Sequence, residues 1–236
     1  MSPSVSGFVP SLAGLHFPND FPQGTPAVAG LPADISLPGG KSIAVNDASN
    51  GLCGGMAFTA VDYFMAGRRP PPDRTPPEPG SPLFRHLVTR LVDSWEIPRG
   101  VLRYLELMSP AIPDAQSWWR FWATSRAKVM TRVATNLRRD IDTGRVVPLG
   151  LIRKKSWDPL DLKHHHQVVA WGYDLLRDGL TIYLYDPNEP DNDSVTMKLD
   201  PSSPSRPIAV AYDPPDPAFP VWCFFRVNFW PAPPPD

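Results

Sequence analysis

Three short stretches bring together residue types capable of chemistry: Asn50-Gly51-Leu52-Cys53-Gly54-Gly55-Met56, His164-His165-His166-Gln167-Val168-Val169-Ala170-Trp171-Gly172-Tyr173-Asp174, and Tyr183-Leu184-Tyr185-Asp186-Pro187-Asn188. A cysteine that opens a helix has its thiolate stabilised by unpaired amides and by the positive end of the helix dipole, which makes it a nucleophile. Flanking glycines let a substrate carbonyl approach the backbone, where amide hydrogens can hold a developing oxyanion. The same glycines also suit a tight entry turn around a small core cysteine, and the first stretch alone leaves both readings open. The other two stretches favour chemistry. A histidine at a strand start with a carboxylate across from it has one ring nitrogen oriented by the acid and the other free to take a thiol proton. Cys53, His166 and Asp186 would supply these parts in that chain order, with Asn188 as a second candidate for the third position.

The elements that must position these side chains are marked out by proline. Of 32 prolines, seven lie in residues 1–40, seven between Pro70 and Pro82, and eleven from Pro201 onward. Proline lacks an amide donor and clashes inside helices, so the proline-free stretches locate regular structure. In residues 51–69, Met56, Ala57, Ala60, Val61, Phe64 and Met65 follow the spacing of a buried helix face, which predicts a helix starting at or near Cys53. Ser81-Pro82 reads as an N-cap with proline in the first turn, followed by a second amphipathic helix through Val92. A short helix is predicted over Val101 to Met108. A long one is predicted from about Gln116 to Asp142, with Trp118, Trp119, Phe121 and Trp122 at its head packed into the core.

After Gly144 the pattern changes to short segments rich in β-branched and aromatic residues: 146–152, 167–173, 180–185, 195–199, 208–212 and 221–229. Arg177-Asp178-Gly179 supplies turn chemistry for an antiparallel hairpin that sets His166 opposite Asp186 across an Asp174 to Asp178 loop. Helices followed by strands predict the α+β class. The expected organisation is a proline-rich N-terminal segment packed on the domain (1–40), the domain itself (41–230) and a proline-rich tail (231–236).

Composition narrows the function classes. With 236 residues, 42% of them hydrophobic, the chain can bury a core, and two cysteines make no disulfide scaffold. Twenty-three basic against 24 acidic side chains give a net charge of −1, which argues against nucleic-acid binding. No run is long and apolar enough to span a membrane, and the N-terminus lacks a basic region followed by an apolar one, so cytoplasmic residence is expected. His164 and His166 would share a strand face, too few ligands for a metal site without HExxH or CxxC support, and neither metal nor cofactor is expected. Cys223, in an apolar setting, reads as an inert core thiol.

A cysteine opening the central helix of a helical half, followed by a histidine and an acid from adjacent strands of an antiparallel sheet, resembles the papain-like cysteine peptidase superfamily. Within it, His-Gln-Val-Val-Ala-Trp-Gly-Tyr-Asp followed by Tyr-Asp-Pro is similar to the C39-like branch, across residues 46–190. The resemblance implies a papain-like fold with Cys53 as nucleophile, His166 as general base and Asp186 as orienting residue. Those families carry an oxyanion-hole glutamine where this chain has Asp47, so Asn46, Asn50 or backbone amides around Gly54 would substitute. The implied activity is hydrolysis of a peptide or amide substrate through a thioester. The same machinery would serve an acyltransferase or transglutaminase-like enzyme, and a non-catalytic peptide-binding module could keep the fold.

Overall fold

The computed structural model describes residues 2–22, 34–36, 42–44, 51–120, 122–177, 179–218 and 220–236. After a one-turn helix α1 (Pro10–Ala13) and a small antiparallel hairpin of β1 (Asp34–Ser36) and β2 (Ser42–Ala44) come the helices α2 (Cys53–Met65), α3 (Pro82–Ser94), α4 (Arg99–Met108) and α5 (Arg126–Asp142). The strands β3 (Val147–Ile152), β4 (His166–Leu176), β5 (Gly179–Tyr185), β6 (Thr196–Leu199), β7 (Val210–Asp213) and β8 (Cys223–Arg226) follow. They form one antiparallel sheet in the order β7-β6-β5-β4-β3-β8. Helices first and an antiparallel sheet second make the chain α+β.

Helix α2 is buried on every side from Gly54 to Tyr63, because it lies between α3 and β4. An all-round apolar helix belongs in a core, and its close packing is set by two glycines. A side chain on Gly54 would sit 2.2 Å from Ser94 Oγ, and one on Gly55 would sit 2.0 Å from the Leu87 carbonyl oxygen of α3. Gly54-Gly55 therefore lets the backbones of α2 and α3 approach at the end where Cys53 stands. Ser81 caps α3 by accepting from the Phe84 amide at 3.2 Å, with Pro82 at the first helical position.

Two proline-flanked segments, residues 3–5 and 229–235, are bound into the domain. Residues 3–5 lie along β4 at its bulge between Ala170 and Gly172, where Val5 N donates to Trp171 O and Tyr173 N to Pro3 O. The C-terminal tail crosses α2 and α3. Buried Asp62 accepts from Arg90 Nε at 2.7 Å and from the Ala232 amide at 2.8 Å, and Arg90 also donates to Trp230 O. Arg90 also pairs with Asp93 and lies over the rings of Phe58 and Phe229, so its charge is compensated by two carboxylates, a carbonyl and two aromatic faces.

Several expectations need correction. The stretch from Gln116 is not one helix: Trp118–Arg120 forms a separate 3-10 turn, and α5 starts only at Arg126, capped by Ser125 accepting from Lys128 N at 3.2 Å. Trp118 and Trp122 are 88% and 69% exposed, so the tryptophans head no buried helix face. The β4–β5 hairpin is tighter than a five-residue loop allows, since its ladder runs on to Leu176 paired with Gly179. No described helix is long and apolar enough to cross a membrane.

Candidate active site

The site is assembled by three segments. Cys53 is the first residue of α2, where the amides of the first helical turn have no intrahelical acceptor. His166 is the first residue of β4, held in the ladder opposite Leu151 of β3. Asp186 comes directly after β5, in a turn that its own side chain closes: Oδ1 accepts from the Asn188 amide at 2.8 Å, and the Asp186 carbonyl accepts from Glu189 N at 2.9 Å. That is the local geometry that Asp-Pro-Asn favours, with the aspartate bonding the backbone two residues on.

His166 Nε2 lies 2.6 Å from Asp186 Oδ1, and both residues are buried, 5% and 4% exposed. They are not direct cross-strand neighbours, because the ladder starts at Val169 paired with Tyr185. Asp186 has already left the strand and reaches back to the ring. Its second oxygen accepts from the Tyr212 hydroxyl of β7 at 2.5 Å. Burial opposes ionisation of Asp186, but the His166 charge and the hydrogen bonds from His166, Tyr212 and Asn188 outweigh it and hold the carboxyl below its ordinary value. Burial likewise pushes His166 down, yet the attraction of Asp186 and of Cys53, with a hydrogen bond to each, lifts it to about 10. The ring is an imidazolium at neutral pH, bonded to the acid through Nε2 and lying beside Cys53.

Cys53 and His166 line one small cavity of about 40 Å³ together with Trp95, Tyr104, Leu162 and Gln167. Tyr104 is pushed well above its ordinary value by burial and further by Cys53, so it remains a protonated donor there. His165, beside His166 in sequence, stacks on Tyr104 and accepts from the Arg153 amide. Burial drives it down to about 3, so it stays neutral and structural. His164 closes the 3-10 turn Pro159–His164, next to Asp161. Among the described residues no cluster of three or more His, Cys, Asp and Glu could hold a metal ion.

Gly54 serves the α2–α3 approach described above. Asn188 supports the acid through its backbone amide, while its exposed side chain accepts from Asn19. Asn46, Asp47 and Asn50 lie outside the described residues. Trp157, Trp171 and Tyr173 do not line the Cys53 cavity. Trp157 is 70% exposed, Trp171 packs on Tyr183, and Tyr173 donates to Asp142. Cys223 is fully buried, and burial pushes its thiol up to about 12.

Two supporting residues escape a reading of the sequence. Tyr212 sits in a strand segment with nothing to mark its hydroxyl as the partner of Asp186. Asn19 joins the halves of the site: its amide donates to Pro187 O at 3.0 Å, its Nδ2 to Asn188 Oδ1 at 3.2 Å, and its Oδ1 accepts from the Leu52 amide at 2.7 Å. It thereby fixes the residue before the cysteine to the turn after the acid. Replacing Asn19 with Ala leaves the Leu52 amide of a buried residue without its acceptor, and is expected to cost about 1–3 kcal/mol in urea unfolding. Asn19→Asp retains the acceptor and should recover most of that loss; equal destabilisation by both variants would refute the role of the Leu52 bond.

No protein-family model, no curated protein and no solved structure matches the chain.

Proposed function

We propose that the protein is a cysteine-dependent hydrolase of peptide or amide bonds, with Cys53 as nucleophile, His166 as proton carrier and Asp186 as its orienting acid, and that it is a papain-like protein of the C39-like type. The observation that carries this reading is the buried His166–Asp186 pair, charged and hydrogen-bonded, with Cys53 as the third member at a helix start. Structural ion pairs also occur in cores, but this one has a thiol at its open end and a cavity above it.

In the reaction, the Cys53 sulfur attacks the substrate carbonyl carbon, and the amides at the start of α2 and the Tyr104 hydroxyl are donors available to the oxyanion. The carbon–nitrogen bond breaks as His166 gives its proton to the departing amine, leaving a thioester on Cys53. Water then attacks the thioester carbon while His166 takes a proton from it. The carbon–sulfur bond breaks, the acid leaves, and the Cys53 sulfur and the protonated His166 are restored.

The chain supplies its own control for a labelling experiment, since Cys223 is buried and Cys53 is partly exposed. Iodoacetamide at pH 6 is expected to modify Cys53 at least about tenfold faster than free cysteine, because Cys53 stands at a helix start beside His166, the setting of a reactive cysteine. Peptide mapping should find Cys223 unmodified. Labelling of Cys53 no faster than a free thiol would remove the basis for catalysis and leave a peptide-binding module.

A further inference from the structure

A cavity of about 330 Å³ opens between the start of α4, the middle of α5 and the strands β3 and β8, and it shares no lining residue with the Cys53 cavity. Four arginines line it: Arg99 and Arg103 from α4, Arg132 from α5 and Arg226 from β8. The one acid among the lining residues is Glu96. Four arginines against one glutamate leave an excess of +3 at this cavity, in a chain whose net charge is −1. We propose that the cavity binds an organic di- or triphosphate, a run of linked phosphates carried on an apolar body, as in a nucleoside diphosphate. This site is independent of the hydrolase reading.

The positive charge here is not neutralised within the protein. Glu96 gives both its oxygens to Asn228, one to the backbone amide and one to Nδ2. Arg103 pairs with Glu106 and Arg226 with Asp140, and neither of those acids lines the cavity. Both arginines are partly exposed, and such pairs contribute little, so either guanidinium can turn to an incoming phosphate. Asp140 keeps Arg145 when Arg226 turns away. Among the described residues Arg99 and Arg132 have no acid partner.

The chemistry of the walls selects the occupant. A guanidinium presents a planar fork that takes two oxygens of one phosphate. Arg99 and Arg103 are one turn apart on the same face of α4. The excess of +3 exceeds the charge of a single phosphate group, about −1.5 to −2 at neutral pH, so at least two linked phosphates are needed to balance it. Arg99 and Gly100 are also the first residues of α4, where the positive end of the helix adds to the field. The rest of the lining is hydrocarbon, from Val133 and Leu137 of α5, Val147 of β3 and Phe225 of β8. A bare phosphate chain would leave those groups against water, whereas an apolar or aromatic body covers them. The volume lies in the range of small-molecule sites, roughly 300–1,000 Å³.

The test is calorimetric titration of the full chain in low-salt, magnesium-free buffer, with ADP, adenosine and inorganic pyrophosphate as probes. ADP is expected to bind at least about tenfold more tightly than adenosine, which lacks the phosphates, and at least about threefold more tightly than pyrophosphate, which lacks the body. Arg99→Gln/Arg132→Gln should weaken ADP binding by about tenfold or more. Both side chains are exposed, so the same double variant without ligand should melt within about 3 °C of the unsubstituted protein. Arg69→Gln/Arg85→Gln removes the same charge from exposed positions that do not line the cavity, and should change ADP binding by less than about twofold. Absence of ADP binding, adenosine binding as tightly as ADP, or equal weakening by the two double variants would overturn the site. Pyrophosphate binding as tightly as ADP would overturn the organic body.

Discussion

Cys53→Ala is expected to abolish turnover, by about 10⁴-fold or more, while the protein unfolds within a few degrees of the unsubstituted chain. Alanine is the best helix former, and position 53 is the first of α2, partly exposed, so removing its sulfur opens no cavity in a sealed core. The chemistry has no substitute for the sulfur. Cys223, the other thiol, is buried and its Sγ points toward the Arg126 and Phe224 carbonyls. The measurement is kcat/KM on a peptide cleaved by the unmodified protein, alongside thermal unfolding by circular dichroism. Activity retained within tenfold would move the nucleophile elsewhere. Loss of activity with a collapse in thermal stability would show Cys53 to be structural.

Asp186→Asn is expected to lower the rate on the order of 10²-fold, and to do so through His166. The substituted side chain has nearly the same shape but no charge. Without the attraction of the carboxylate, the burial that opposes the imidazolium is no longer outweighed in the same way, and the ring loses the charge that faces Cys53. The same change has a signature in stability. His166 is raised in the folded state, so the stability it contributes is fully present below its unfolded value near ~6.5, and is lost as pH rises through about 10. Asp186 is lowered, so its contribution is present above the unfolded carboxylate value near ~3.9 and is lost as pH falls below it. The unsubstituted protein should therefore exceed Asp186→Asn in melting temperature by at least about 4 °C more at pH 6 than at pH 10. A difference that does not change with pH would mean that the pair is not ionised.

How much of this could be read in the chain depends on whether the cause was local. The start of α2 at Cys53 and the Ser81-Pro82 start of α3 are written in neighbouring residues, and the structure places them there. Ser125 is equally local, but the continuous helix predicted from about Gln116 took no account of it: absence of proline does not by itself extend a helix across a capping residue. The β4–β5 register was not local. Its bulge at Ala170 and Gly172 is filled by Ser4, more than 160 positions away, and nothing near the hairpin announces it. Yet the geometry between His166 and Asp186 tolerates the shift, because the acid leaves its strand and turns back to the ring. Asn19 and Tyr212 are invisible for the same reason: an amide and a hydroxyl carry no pattern until the fold brings their partners to them.

The bridge made by Asn19 also fixes the order in which the site can come into being. Its bonds reach 33 positions forward to Leu52 and 169 positions forward to Asn188. Contacts so distant along the chain close only after the intervening polypeptide exists and its loop entropy has been overcome. During synthesis the thiol of Cys53 emerges more than 100 residues before His166 and Asp186, so under the proposed function the growing chain would hold its nucleophile without its base. Activity would be switched on by completion of the sheet, late enough to spare the nascent chain from its own chemistry.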